Sequence, residues 1–139
     1  MRLLRTYIVE DSPVVREDLI ATLEELAPVQ VVGSASDEAT AVRWLGQAAY
    51  PVDLVIVDIS LTEGSGLGVL RRGRALAQPF KMIVLCNDAS VAMRRTCLTL
   101  GADSVFDKSH QIGRLIDYCG RLADQAPVAS NWTTLSRRY

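Results

Sequence analysis

Glu10 and Asp11 close one short apolar run, Asp58 closes a second, and Lys108 follows a third. If the fold gathers them on one rim, three carboxylates repel one another, and a hard divalent cation would relieve that repulsion. Magnesium suits such a place, because it takes few carboxylates, keeps several waters and accepts an oxygen of a substrate. Asp11 and Asp58 are then expected as direct ligands, Glu10 as a ligand acting mostly through water, and the backbone carbonyl of Ser60 as the completing oxygen. A cation there would also screen a phosphoryl donor from Asp58, whose carboxylate could attack phosphorus in line and form an acyl phosphate. Lys108 would neutralise another phosphoryl oxygen as a compact point charge. Charges also cap strand ends without any chemistry. One acid would fit that bland account; two adjacent acids, a third on another run and a lysine fit the chemical one better.

The elements that must position these residues alternate apolar runs with helical stretches. Tyr7-Ile8-Val9 reads as a first strand. Ser12 and Pro13 open a helix as N-cap and first-turn residue, and Val15, Leu19, Leu23 and Leu26 recur at helical spacing as its buried stripe. Val29 to Val32 reads as a second strand, Gly33 to Ser36 as a turn, and Ser36 as the cap of a helix over Asp37 to Gln47. Tyr50-Pro51 is a loop. Leu54 to Val57 is continuously apolar, as a central parallel strand covered on both faces should be. Gly64-Ser65-Gly66 leads to a third helix ending near Ala77, and Met82 to Leu85 is a fourth strand ending at Cys86. Asn87-Asp88 can cap a fourth helix that Gly101 terminates. Val105-Phe106 is a short fifth strand, and Ile112, Leu115, Ile116 and Cys119 form the stripe of a fifth helix. Five βα units in a row predict a parallel sheet between layers of helices, with ligands at the carboxyl ends of its strands.

The 139 residues fit one domain, over 1–124, with a tail over 125–139 and no second domain expected. A content of 49% hydrophobic and 22% charged residues is that of a globular chain, and a net charge of −1 gives no general attraction to nucleic acid or anionic membrane. The three cysteines, Cys86, Cys97 and Cys119, lack zinc-ligand spacing and read as reduced thiols. With no signal peptide or membrane span expected, the default address is the cytoplasm.

The run Tyr7-Ile8-Val9-Glu10-Asp11-Ser12 resembles the opening of response-regulator receiver domains of two-component signal transduction. The stretch from Asp53 to Leu61, with Gly66-Leu67, resembles that family's phosphoacceptor strand and loop, and Gly101-Ala102-Asp103 with Phe106-Asp107-Lys108 resembles its last strand. The resemblance covers about residues 5 to 124 and, as an ordered set of motifs, is specific. It implies a flavodoxin-like (βα)5 sandwich with strand order 2-1-3-4-5. It also implies magnesium, and phosphotransfer to Asp58 from a histidine kinase or histidine phosphotransfer protein. The chain would be a self-catalysed phosphoacceptor, not an enzyme turning over an external substrate. With a tail too short for an output domain, a stand-alone regulator is expected, docking to a protein target or passing the phosphoryl group along a relay; the resemblance implies helix four, strand five and helix five as the contact face. It leaves open a homodimer through that face.

Two positions depart from the family. Cys86 stands where a switch threonine or serine is usual, and a thiol is a weak donor to a phosphoryl oxygen. Val105 stands where a switch aromatic is usual, with Phe106 expected on the opposite face. Lys108 precedes Ser109 in place of the usual proline, so a trans bond is expected, and Thr62 replaces a frequent loop proline. These departures raise an alternative: a receiver-like interaction module that works without phosphorylation. Two enzyme classes on similar folds fit less well. A dehalogenase-type phosphohydrolase wants a second acid where Ser60 stands, and a flavin phosphate would be repelled by Glu10-Asp11. His110 reads as a surface residue. Arg71-Arg72, Arg74 and Arg94-Arg95 read as solvated or protein-docking faces without a nucleic-acid motif. Trp44 reads as packed on its helix, and Trp132 as the better partner anchor.

Overall fold

The computed structural model describes residues 2–47, 51–61, 63–87 and 89–125. Strands β1 (Leu4–Val9), β2 (Val29–Ala35), β3 (Leu54–Asp58), β4 (Lys81–Cys86) and β5 (Ser104–Asp107) alternate with helices α1 (Pro13–Leu26), α2 (Glu38–Gln47), α3 (Gly66–Ala75), α4 (Val91–Thr99) and α5 (Ile112–Asp124). All the strand pairs are parallel, in the order β2-β1-β3-β4-β5. The residue patterns predicted a parallel sheet between helices, and the family resemblance implied this flavodoxin-like strand order.

The two-residue period of the strands sorts their side chains between two cores. Tyr7, Val9, Val55, Val57, Met82, Val84, Cys86 and Val105 face α2, α3 and α4, where Ala41, Leu45, Val69, Leu70 and Cys97 meet them. Leu4, Ile8, Leu54, Ile56, Ile83, Leu85 and Phe106 face α1 and α5, against Leu19, Leu23, Leu115, Cys119 and Leu122. Val105 and Phe106 therefore lie on opposite faces, as expected. Every residue of β3 is buried, which the unbroken apolar run foretold.

Several local expectations are corrected. β2 does not turn at Gly33 but pairs with β1 as far as Ala35, with a register shift between Thr6 and Tyr7. The reason is steric. A Cβ on Gly33 would lie 2.9 Å from the Tyr7 ring and 3.1 Å from Trp44, whose rings stack with centroids 4.2 Å apart. This glycine marks a close approach inside a strand, not a bend. Ser36 does not cap α2; the Asp37 carboxylate accepts from the Thr40 N–H at 2.8 Å and so takes the cap position. Ser12 and Pro13 do open α1, but Val15 and Leu26 are exposed, and its buried residues are Leu19 and Leu23. The cap of α4 is Ser90, whose hydroxyl accepts from Met93 N–H at 3.1 Å, and not Asn87. Tyr50, Thr62, Asp88 and the tail with Trp132, for which the sequence carries expectations, lie outside the described residues.

Gly66, the first residue of α3, packs closely against backbone near the rim. A Cβ there would stand 2.5 Å from the Asp58 carbonyl oxygen and 2.6 Å from Ile59 Cα, both backbone atoms. Gly66→Ala is expected to lower stability by about 1–3 kcal/mol through this overpacking, read as a lower midpoint in urea unfolding. All three cysteines are buried thiols. Burial pushes Cys119 from its ordinary 9.0 up to about 12 and raises Cys97 as well. For Cys119 the stabilising difference is complete below pH 9.0 and is lost as the pH climbs toward about 12. At pH 8 a disulfide exchange reagent should therefore label the native chain no faster than it unfolds, and label all three thiols at once in urea.

Candidate functional site

β1 and β3 are neighbours at the centre of the sheet, so Glu10 and Asp11, just past β1, stand beside Asp58 at the end of β3. Carboxylate oxygens of Glu10, Asp11 and Asp58 all lie within 4.8 Å of one another. Glu10 is 2% exposed and Asp58 6% exposed, while Asp11 is half-buried. Lys108 reaches this group from the far edge. β5 lies three strands from β1, roughly 14 Å at the usual strand spacing, so a long side chain is needed to close the gap. Its Nζ donates to Glu10 Oε1 at 2.8 Å and pairs with Asp58 Oδ2 at 3.4 Å.

Backbone donors fix the other oxygens of Glu10 and Asp58. Ser12 N–H donates to Glu10 Oε2 at 3.1 Å, and Ser60 N–H to Asp58 Oδ1 at 3.1 Å. Burial raises the Glu10 carboxyl above its ordinary 4.5; the Lys108 hydrogen bond and the Ser12 N–H oppose that rise, and the charge of Asp58 adds to it. Burial works against the Lys108 ammonium too, but the Glu10 hydrogen bond and the charges of Asp58 and Glu10 outweigh it and raise the group above 10.5. One cation among three carboxylates leaves the pocket with an excess of negative charge and a set of hard oxygen donors. Such a donor set fits a magnesium ion.

The two departures from the family pattern lie on β4 and β5. Cys86 ends β4, and its thiol lies 3.9 Å from the Phe106 carbonyl oxygen. Val105 is buried in the α2–α4 core. The backbone N–H of Lys108 donates to the Cys86 carbonyl at 2.8 Å, so the loop bearing the lysine is sewn to the end of β4. No described peptide bond is cis, in line with the trans bond expected after Lys108. His110 is exposed in the turn that follows.

Four side chains make contacts that the sequence did not reveal. Arg16 donates to the Glu10 carbonyl at 3.1 Å and to the Ser36 hydroxyl at 3.3 Å. Arg94, grouped above with solvated or docking basic faces, donates to the Val105 carbonyl and to Gln111 Oε1, each at 2.7 Å, and Arg74 donates to the Gly101 carbonyl at 2.8 Å. Arg94 ties α4 to β5 and to the start of α5, and Arg74 ties α3 to the turn before β5 at the other end of the sheet; Arg71, Arg72 and Arg95 remain exposed. The fourth is Glu38, which accepts from Ser65 N–H at 2.9 Å beneath the loop that follows Asp58. Its sequence signal was the glycine spacing 64, 66, 68, which makes room for a neighbour.

Residues 6–119 match the family model of the response regulator receiver domain. The chain is 32% identical over 123 residues to a probable transcriptional regulatory protein of Picosynechococcus sp., covering 85% of this chain and 48% of that one. It is 28% identical over 108 residues to the fimbriae Z protein of Salmonella typhimurium, covering 78% and 50% respectively. It thus spans about half the length of these curated relatives. A similar solved structure is the receiver domain of a sensor histidine kinase of Pseudomonas aeruginosa PAO1, which has a magnesium ion coordinated in its active site cleft. The TM-score is 0.73 at 24% identity, over 88% of this chain and 99% of that one. No helix among the described residues is long and apolar enough to cross a membrane. With the family model matched over most of its length and the parallel sheet in the order β2-β1-β3-β4-β5, the chain belongs to the response regulator receiver domains.

Proposed function

We propose that Asp58 is the phosphoacceptor of a two-component signalling step, receiving its phosphoryl group from a histidine kinase or a histidine phosphotransfer protein. The observation that carries this reading is the single cluster in which Glu10, Asp11 and Asp58 share one space and Lys108 bridges two of them. Glu10, Asp11, Asp58 and the Ser60 carbonyl would hold magnesium. Bound there, the ion supplies positive charge that lets a phosphorylated donor approach three carboxylates. The Asp58 carboxylate attacks phosphorus, the phosphorus–nitrogen bond of the donor's phosphohistidine breaks, and the imidazole leaves with the bonding electrons and takes up a proton. Ser60 N–H holds Asp58 Oδ1 in place, and Lys108 carries a positive charge to the phosphoryl oxygens.

A second reading rests on Cys86 and Val105. The thiol is a weak donor set against the Phe106 carbonyl, and no switch aromatic occupies the Val105 position. On this reading the face of α4, β5 and α5 binds a protein target whatever the state of Asp58. Its mark is a target affinity unchanged by Asp58→Asn and by phosphorylation of the wild type.

Incubation with acetyl phosphate and magnesium should add one phosphate to the mass of the wild-type chain and none to Asp58→Asn. A wild-type chain that gains no mass while a control receiver does would overturn the proposal. Lys108→Ala should slow the same reaction by about 10²-fold, since the charge aimed at the transferring group is gone. Circular dichroism would check that the variant remains folded.

A further inference from the structure

Glu38 opens α2, yet its side chain serves α3. Its Oε1 accepts from the N–H of Ser65, the N-cap of α3, at 2.9 Å, and its own N–H points to the Glu63 carbonyl at 3.4 Å. Its Oε2 pairs with Arg72 at 3.3 Å, farther along α3. One carboxylate thus lies at the N-termini of two helices, where both dipoles favour an anion. Two glycines make the seat. A Cβ on Gly64 would lie 2.5 Å from Glu38 Cβ, and one on Gly68 would lie 2.4 Å from the Glu38 carboxylate.

The chain between Asp58 and Ser65 carries Ser60. Its near end is pinned by Ser60 N–H on Asp58 Oδ1 and by Ile59 N–H on the Leu85 carbonyl at 3.1 Å. Its far end is pinned by Glu38. We infer that Glu38 is a positioning residue for the acidic pocket: by clamping Ser65 and the start of α3 to α2, it holds the Ser60 backbone where its carbonyl completes the magnesium site. The inference rests on the reading of that pocket as a magnesium and phosphoacceptor site. Glu38 is not among the clustered acids, so it acts on the site through the backbone it holds at Ser65.

The full-length chain is titrated with magnesium by calorimetry, and amide exchange at Ser60 and Ser65 is followed in metal-free protein. Glu38→Ala should weaken magnesium by roughly tenfold, the size of effect seen when supporting partners of metal ligands are lost, and should speed exchange at both amides. Glu38→Gln keeps an oxygen acceptor for Ser65 and should restore affinity to within about threefold. Gly68→Ala tests the seat without touching Glu38. Its methyl would displace the flexible carboxylate, so it should weaken magnesium as Glu38→Ala does, and in a Glu38→Ala background it should add nothing. Equal magnesium affinity in wild type and Glu38→Ala overturns this inference alone, as do independent effects of the two substitutions. A wild-type chain with no magnesium affinity overturns the reading of the pocket and the inference together.

Discussion

Like charges crowded at the mouth of a parallel sheet set the terms for the rest of this molecule. Glu10 and Asp58 are almost wholly removed from water, with Asp11 beside them, and their oxygens lie within 4.8 Å. Buried carboxylates with no compensation would protonate or push the strands apart. The compensation comes from backbone N–H groups of Ser12 and Ser60 and from one ammonium that crosses the sheet from its far edge. The strand order serves this need as well as the core. β1 and β3 must be adjacent to bring the acids together, and β5 must lie on the side from which Lys108 can fold back over β4.

Much of this was legible in the residues. Unbroken burial of β3 was written in Leu54 to Val57, and the alternation of Val105 and Phe106 between faces follows from strand geometry alone. The acids were found because strand ends gather at one rim of a parallel sheet. Other features were misread because their cause is a neighbour distant in sequence. Gly33 looks like a turn until the Tyr7–Trp44 stack is seen against it. Val15 and Leu26 have helical spacing, but α1 buries only a narrow stripe, at Leu19 and Leu23. Arg94 looks like a surface charge, yet it is spent on the Val105 carbonyl and Gln111. Charge patterns report residue type; they do not report which backbone carbonyl lies within reach.

The join between β5 and its surroundings is polar where an aromatic relay would be expected. Gln111 Oε1 receives both Arg94 and the backbone N–H of Asp107, the latter at 2.8 Å, and Ser109 N–H donates to Asp107 Oδ1 at 2.7 Å. Backbone hydrogen bonds from Ser109 and Ala89 help hold Asp107 below its ordinary carboxyl value. The start of α5, the end of β5 and the body of α4 are therefore connected by directional bonds, which have a narrower range of good geometries than an apolar contact.

The division of the sheet into two faces has an evolutionary side. Cys86 and Val105, the two departures from the usual pattern, share the α2–α4 core, while their chain neighbours Leu85 and Phe106 belong to the α1–α5 core. A backbone one strand thick separates the two sets of side chains. Side-chain substitutions on one face then couple weakly to packing on the other, apart from contacts such as that of the Cys86 thiol with the Phe106 carbonyl. A lineage could rebuild the side of the molecule bearing α4 while the side bearing α1 kept its shape, and the acids at the rim, joined to both, would bound how far that drift could go.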